Sequence, residues 1–255
     1  MLNFRIFIEQ TTLEYHQELN PVFWKKQKFN EEAKKQLLEI AEYWREAALI
    51  PKKAVKDILL VGGNANFNYT ELSDLDLHLY VDKKLIPDCE AVILDEYLKD
   101  KKTLWGLTHD IKIFGFPVEV YAQGLDEKFT KDQGVYSLKK DKWIQEPRKV
   151  KVNLQDRHIQ IKVNNLKHQI DYYIDNHVDN LAILKNFKEK IRLMRQAAVK
   201  KNGEFSFENL VFKDLRNQGY IDKFSDYILS VEDKVFTLNK GEKWKKTSAP
   251  SQKKT

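Results

Sequence analysis

The sequence predicts an α+β protein, in which an N-terminal domain with a mixed β-sheet and flanking helices precedes a C-terminal helical domain. The N-terminal half alternates helical periodicity with short β-compatible runs, whereas most apolar residues after Pro147 recur at helical spacing. The composition agrees with a folded, helix-rich chain, since 42% of the residues are hydrophobic, 32% are charged, and there are only 9 glycines and 6 prolines. These features exclude a disordered chain and disfavour a turn-dense all-β sandwich.

Two helices and four strands are predicted in the N-terminal half. Residues 28–48 carry apolar side chains every three or four positions, with Asn30 as the expected N-cap, and residues 89–99 show a similar but less regular pattern. Alternation of apolar and polar residues predicts a strand at 72–81. The other predicted strands are 57–61, 111–114 and 118–121, the last two forming a hairpin with a tight turn at Gly115-Phe116-Pro117.

The C-terminal half is predicted to be helical throughout. An apolar stripe runs at helical spacing from Val163 to Met194, which fits either one long helix or two. Gly203 is a typical helix terminator, Ser206 is a typical N-cap for a shorter helix, and a final helix is expected through Val231. The predicted boundaries are 1–150 for the sheet domain, 151–239 for the helical domain and 240–255 for a basic, disordered tail.

The net charge of +6 is concentrated in this tail. Residues 240–255 contain six lysines and one glutamate, so they hold five of the six net charges and the rest of the chain is nearly neutral. A tail of this kind favours weak, salt-sensitive binding to RNA. The single cysteine, Cys89, cannot form an internal disulfide, and no apolar stretch approaches the ~20 residues of a membrane span, so we expect a cytoplasmic protein without membrane association.

The segment that indicates chemistry is residues 61–81, VGGNANFNYTELSDLDLHLYV. Asp74 and Asp76 are two positions apart on a predicted strand, so both carboxylates lie on one face, where their repulsion is costly unless a cation lies between them. Mg²⁺ fits because it prefers carboxylate oxygens and completes its shell from water and phosphate, with Mn²⁺ as an alternative. The preceding Gly62 and Gly63 allow the backbone to approach an anion closely.

The arrangement resembles the DNA polymerase β-like nucleotidyltransferase superfamily over roughly residues 28–123. Its members have a strand that ends in Gly-Gly or Gly-Ser, a gap of about ten residues, and Asp-x-Asp on the next strand, which is often preceded by serine as it is here by Ser73. A third carboxylate stands on a later strand, and Glu119 in FPVEVYA occupies that place. The segments LNPVFW, NANFNY and ENLVFKDLRNQGY are similar to small nucleotidyltransferases of tailed bacteriophages.

The resemblance implies an enzyme that moves a nucleoside monophosphate from a nucleoside triphosphate, such as ATP, to an acceptor hydroxyl. Asp74, Asp76 and Glu119 would be the catalytic residues and the ligands of two Mg²⁺ ions. The nucleotide would contact Gly62, Gly63, Asn64 and Ser73. The lysine tail favours RNA as the acceptor, while a small hydroxyl compound and a protein side chain stay open. The alternatives are a nucleotide- or RNA-binding module without turnover, a metal-dependent phosphoesterase and a phage structural protein.

Several further residues carry less specific predictions. His78 shares the face of the two aspartates, and a hydrogen bond to a backbone carbonyl is the simplest role for it. His109, Asp110 and Lys112 are expected on the next strand, with Asp110 as the alternative third carboxylate and Lys112 as a candidate partner of Glu119. Two roles are open for Tyr172, Tyr173 and Trp143: they could stack on a nucleobase, or they could pack in the hydrophobic core.

Overall fold

The computed structural model describes residues 11–86 and 91–237 of the 255-residue chain, without the side chains of residues 91 and 92. Two predictions, on Cys89 and on the tail at 240–255, lie outside the described residues. The described strands are β1 (Trp24–Lys25), β2 (Lys28–Phe29), β3 (Val55–Val61), β4 (Leu75–Val81), β5 (Lys112–Ile113), β6 (Phe116–Gly124), β7 (Val135–Ser137) and β8 (Lys142–Gln145). The described helices are α1 (Glu31–Ala47), α2 (Ala91–Thr108), α3 (Arg157–Asp175), α4 (Leu181–Asn202), α5 (Phe207–Asn217) and α6 (Tyr220–Phe236).

The predicted mixed sheet is present. Its six strands lie in the order β5-β6-β4-β3-β7-β8, and β4 and β6 are parallel whereas the other neighbours are antiparallel. The parallel pair is joined through α2, because a parallel connection needs a crossover that packs on the sheet. Strands β1 and β2 form a separate small hairpin before α1. The fold is therefore α+β, as the sequence predicts.

The alternation in β4 separates the two faces of the sheet. Leu75, Leu77 and Leu79 are fully buried in a core that includes residues of α1, α2 and the β1-β2 hairpin. Asp76 and His78 point to the opposite face, since successive side chains of a strand alternate. The helices of the first half therefore cover one face, and the polar residues of β4 lie on the other.

The hairpin of β5 and β6 is present, but its turn lies elsewhere than predicted. Phe114 and Gly115 both have positive φ, 51° and 89°, and they connect the paired residues Ile113 and Phe116. Pro117 lies inside β6, opposite Lys112. Glycine and a two-residue loop fix the turn, whereas a proline is tolerated in the first residues of a strand, where its missing N–H is not required.

The C-terminal half is helical, and the long apolar stripe forms two helices. Helix α3 ends at Asp175, the following His177 has a φ of 52°, and Asn180 caps α4 by accepting a hydrogen bond from Ile183 N at 3.2 Å. Helices α3 to α6 enclose a second hydrophobic core, to which residues such as Ile170, Phe187 and Phe224 belong. Among the described helices, none combines the length and apolar composition that a bilayer crossing needs.

Candidate active site

Three acidic side chains meet on the polar face of the sheet. In the parallel register of β4 and β6, Asp76 lies directly beside Glu119, and Asp74 immediately precedes β4. Each of the three residues offers a carboxylate oxygen within 4.8 Å of those of the other two. Within the described ranges, this is the cluster of carboxylate, histidine and cysteine groups close enough to hold a metal ion.

The acidic cluster is electrostatically unfavourable as it stands. Burial, followed by the negative charges of Asp74 and Glu119, raises the pKa of Asp76 to about 7. The pKa of Asp74 is also raised, chiefly by burial and then by Glu119. Since removal from water and like charges both disfavour the ionised carboxylates, the cluster would gain free energy from a bound cation. The donor set, made entirely of carboxylate oxygens, suits a hard divalent ion.

The two glycines leave room for neighbouring side chains of the protein itself. A Cβ on Gly62 would lie 1.6 Å from Asp76 Oδ2, and the φ of +75° at this residue is itself unfavourable for other residue types. A Cβ on Gly63 would lie 3.1 Å from Ser73 Oγ. The glycines are followed by a single 3₁₀ turn, Gly63–Ala65, and not by an α-helix.

Asn64 has a different role from the predicted nucleotide contact. It is fully buried, and its amide nitrogen donates to Asp74 O at 2.9 Å while its Oδ1 accepts a hydrogen bond from Asn20 at 2.8 Å. The Asn64 side chain thus forms hydrogen bonds within the protein and does not line the cavity. Asn64 fixes the backbone that carries Asp74, which corrects the prediction from the sequence.

We expect Asn64→Ala to reduce both stability and activity. The substitution leaves buried partners on Asn20 and Asp74 without hydrogen bonds, which costs about 1–3 kcal/mol of unfolding free energy. Urea unfolding measures this loss, and turnover measures the misplacement of Asp74. Asn165→Ala is a matched control because Asn165 lies in helix α3, away from the acidic cluster. Unchanged stability in Asn64→Ala would contradict the positioning role.

Ser73 lies where the sequence places it, at the rim of the cavity. Its Oγ accepts a hydrogen bond from Thr70 N at 2.8 Å, so the hydroxyl closes the turn that leads from the glycines to β4. Ser73 lines the cavity, and its hydroxyl has Thr70 Oγ1 as a second neighbour at 3.5 Å.

A cavity of about 470 Å³ extends from the acidic cluster to the helical half of the chain. Its far wall includes Arg195 of α4 and Lys213 and Arg216 of α5, and Lys102 of α2 stands next to the cluster. The wall is thus cationic where the floor is anionic. This combination suits a ligand that carries phosphate groups together with divalent metal.

The four cations differ in their partners. Lys102 forms an ion pair with Glu119 at 3.0 Å, and Lys213 forms one with Glu204. Arg195 lies 4.5 Å from the centroid of the Phe212 ring and donates to Asn209 Oδ1 at 3.1 Å. The Arg216 side chain, in contrast, is exposed and has no ion-pair or hydrogen-bond partner among the described residues. Arg216 is therefore the cation most available to a ligand.

Sequence reasoning missed this cationic wall. The segment ENLVFKDLRNQGY was noted only for its similarity to small nucleotidyltransferases of tailed bacteriophages, and no binding role was predicted for its charged residues. The available signal was the spacing of Lys213 and Arg216, three residues apart, which places both on one helix face. Nothing in the local sequence indicates that this face opposes the acidic cluster.

The N-terminal segment joins the two halves at the cavity. Thr12 donates to the buried carboxylate of Asp214 on α5, through its N–H at 2.9 Å and its hydroxyl at 2.6 Å. His16 N donates to Phe67 O at 2.7 Å, and the His16 ring stacks on Tyr69 at 3.9 Å. The segment thus links α5 to the turn that precedes Asp74.

The remaining candidates lie partly outside the cluster. His78 does face the cavity, but its Nδ1 hydrogen-bonds the Gln123 side chain at 2.8 Å instead of a backbone carbonyl, and burial lowers its pKa. Asp110 pairs with Lys112 at 2.9 Å, away from the other carboxylates, and only Lys112 belongs to a strand. Glu119 is thus brought to the cluster, and it pairs with Lys102 instead of Lys112, the alternative partner that the sequence offered. His109 stacks on the ring of Trp105.

The aromatic candidates do not line this cavity. Tyr173 packs in the core of the helical half, with its ring 5.3 Å from that of Phe187, and the neighbouring Tyr172 is 60% exposed. Trp143 stacks on Trp24 with ring centroids 4.7 Å apart. Base stacking at the acidic cluster by these three residues is therefore not supported by the geometry.

No protein-family model matches the chain, and no curated protein matches it either. The solved structures that show weak similarity include two cyclic dinucleotide synthases. The CdnE cyclic dinucleotide synthase of Elizabethkingia meningoseptica, solved with GTP and Apcpp, is 16% identical with a TM-score of 0.24 over 81% of this chain and 83% of that chain. The CdnE c-di-GMP synthase of Capnocytophaga granulosa is 11% identical with a TM-score of 0.21 over the same shares.

Proposed function

We propose that this chain is a metal-dependent nucleotidyltransferase that transfers a nucleoside monophosphate from a nucleoside triphosphate to an acceptor hydroxyl. The observation that carries the proposal is one cavity with three clustered carboxylates on its floor and cationic side chains from α4 and α5 on its wall. A nucleoside triphosphate with divalent metal matches both charges at once. The resemblance of the glycine and Asp-x-Asp motif to DNA polymerase β-like nucleotidyltransferases supports the same reaction.

Asp74, Asp76 and Glu119 would hold the metal ions. Two Mg²⁺ ions, with Mn²⁺ as the alternative, would lower the pKa of the attacking hydroxyl and neutralise charge on the leaving pyrophosphate. The raised pKa of Asp76 supports this assignment, because a buried acid among like charges is a group whose ionised form needs a counter-charge.

The chain's own residues would bind and orient the substrate. Arg216, whose side chain has no ion-pair or hydrogen-bond partner among the described residues, would bind the phosphate tail, and the Ser73 hydroxyl would donate a hydrogen bond to it. Gly62 would leave room for the Asp76 carboxylate, and Gly63 for the Ser73 side chain, so that the backbone of both could approach a phosphate. Positioning in one cavity supplies much of the rate enhancement in such a reaction, because the α-phosphorus and the hydroxyl meet in line.

The direct test is pyrophosphate release from ATP, CTP, GTP and UTP in Mg²⁺, with an RNA 3′ end, a small hydroxyl compound or a protein as acceptor. RNA is the first acceptor to test because of the lysine-rich tail at 240–255. Pyrophosphate together with a product heavier by one nucleoside monophosphate supports the proposal. Release of inorganic phosphate would favour a phosphoesterase, and metal-dependent binding without product would favour a non-catalytic module.

Removal of the unpaired guanidinium should weaken substrate binding. We expect Arg216→Ala to raise KM for the triphosphate about 10- to 100-fold, the equivalent of one lost charge-assisted hydrogen bond, with a smaller effect on kcat. Steady-state kinetics over a range of triphosphate concentrations measures both. Arg192→Ala is the matched control, since Arg192 pairs with Glu189 on the surface of α4. Equal effects of the two substitutions would contradict the assignment of Arg216.

A further inference from the structure

A second cavity, of about 350 Å³, lies on the far side of the turn that precedes Asp74. We propose that it binds one nucleoside monophosphate unit, either free or within a single-stranded nucleic acid. The two cavities share no lining residue, but they flank the same turn. Asn66 and Asn68 line the catalytic cavity, and Phe67 between them lines the second one.

The walls of the second cavity are aromatic. Trp143 lines it with one face covered by Trp24, so that its other face or its rim meets the cavity. Phe67 forms another part of the wall, with Lys149 Nζ 5.4 Å from the centroid of its ring. Flat aromatic side chains bind nucleobases by stacking, whatever the base.

Charged groups at the rim suit the rest of a nucleotide. Lys26, Lys149, Glu18 and Glu146 all line the cavity, and none of them has an ion-pair partner among the described residues. Lysines bind phosphate, and carboxylates accept hydrogen bonds from ribose hydroxyls or exocyclic amino groups of a base. The volume is at the lower end of the ~300–1,000 Å³ typical of small-molecule sites, which suits one nucleotide.

The hairpin that forms one side of the cavity is conformationally unusual. Its two-residue turn, between the paired Lys25 and Lys28, consists of Lys26 and Gln27 with φ values of 49° and 63°. Asn-Gly normally occupies such a turn, and larger side chains there cost free energy. The strained turn brings two long polar side chains to the cavity, and strain of this kind is typical of ligand sites.

The second cavity is connected to the catalytic residues. Trp24 Nε1 donates to Asn64 O at 2.7 Å, and the Asn64 side chain in turn holds Asp74 O. A ligand stacked against the tryptophan pair therefore contacts the group of residues that positions Asp74. Binding at this cavity does not depend on metal or on the reaction proposed above, because the acidic cluster contributes no residue to it.

The test is quenching of tryptophan fluorescence by adenosine monophosphate, in the presence of EDTA so that metal-dependent binding at the acidic cluster is absent. We expect saturable quenching, and an approximately tenfold or larger increase in Kd in each of Lys26→Glu and Lys149→Glu. Lys25→Glu and Lys151→Glu are matched controls, because they are exposed neighbours outside the cavity, and their Kd should stay within about twofold of the unmodified chain. All four substitutions are at exposed lysines, so folding should be preserved.

A single-stranded oligonucleotide of about eight residues distinguishes the two sources of the ligand. Equal affinity per nucleotide indicates a free mononucleotide, and clearly tighter binding of the oligonucleotide indicates a strand; both support the site. Absence of saturable binding of either probe would overturn the proposal. So would binding that persists in Lys26→Glu and Lys149→Glu but is lost in Arg216→Glu, since the ligand would then occupy the catalytic cavity.

Discussion

Asp76→Asn is expected to abolish nucleotidyl transfer, with a loss of at least about 10³-fold, while making the metal-free protein more stable at pH 8. The activity is lost because an amide does not hold a divalent cation against the phosphates, an effect worth several kcal/mol in the transition state. The stability rises because the ionised Asp76 carboxylate is buried beside Asp74 and Glu119. Pyrophosphate release and urea unfolding measure the two effects.

The direction of the pH dependence follows from the raised pKa. The pKa of Asp76 is about 7 in the folded protein and 3.8 as its ordinary value, so the folded state binds the proton more tightly than the unfolded state does. Below about pH 4 the group is protonated in both states and costs nothing. As the pH rises from about 4 to about 7, Asp76 lowers the free energy of unfolding by up to about 4 kcal/mol. This contribution should be absent in Asp76→Asn, whereas that of Asp74, whose pKa is also raised, remains.

Divalent metal should make the unmodified chain more stable, whereas it should not stabilise Asp76→Asn. Mg²⁺ that binds only the folded state stabilises it, so the melting temperature of the unmodified chain should rise with Mg²⁺ concentration while that of Asp76→Asn stays constant. Asp110→Asn is the matched control, because Asp110 is exposed and its partner is Lys112. Near-normal turnover in Asp76→Asn, or an equal response of both variants to Mg²⁺, would show that the acidic cluster does not bind the catalytic metal.

Glu119→Gln is expected to reduce kcat by roughly 10²- to 10³-fold with the fold intact. The amide neither completes the metal site nor accepts a proton from the acceptor hydroxyl. The free energy of unfolding should change little, because Glu119 is half-exposed. Its ion pair with Lys102 is solvent-exposed, and such pairs contribute about 0–1 kcal/mol to stability. Single-turnover kinetics with thermal melting separates the two effects.

The ion pair with Lys102 provides the control for Glu119. Lys102→Gln removes the same pair but keeps the carboxylate, so it should cost far less activity than Glu119→Gln. Asp110→Asn should have no effect, because Asp110 is not part of the acidic cluster. Full activity of Glu119→Gln combined with an inactive Asp110→Asn would identify Asp110 as the third carboxylate instead.

Prediction from sequence was strongest where the signal is local. The alternation from Leu75 to Val81 is sufficient to place Asp76 and His78 on the face opposite the leucines, because successive side chains of any strand alternate. The break between α3 and α4 was left open by the apolar stripe. Its determinants are the Asn180 cap and the positive φ of His177, neither of which disturbs the periodicity.

Prediction from sequence was weaker where a polar side chain can hydrogen-bond either another part of the protein or a ligand. Asn64 was assigned to the nucleotide, yet its buried amide holds Asn20 and the backbone of Asp74. The residue type alone does not distinguish these roles, because the amide of an asparagine in a turn can form hydrogen bonds with the protein or with a nucleotide. The same holds for Trp143, whose stacking partner, Trp24, comes from a hairpin more than a hundred residues earlier in the sequence.

The sequence by itself determined the α+β class, the helical second half and the face of β4 on which the paired aspartates stand, because each depends on periodicity within one segment. The tertiary structure decided that Glu119, not Asp110, lies beside Asp76, since the parallel register of β4 and β6 is set by packing on α2 and the sheet. It also decided that Arg216 faces the carboxylates. Two segments so distant in the chain meet only in the tertiary structure, where the N-terminal segment hydrogen-bonds α5 through Thr12 and the turn before Asp74 through His16, and no local pattern encodes these contacts.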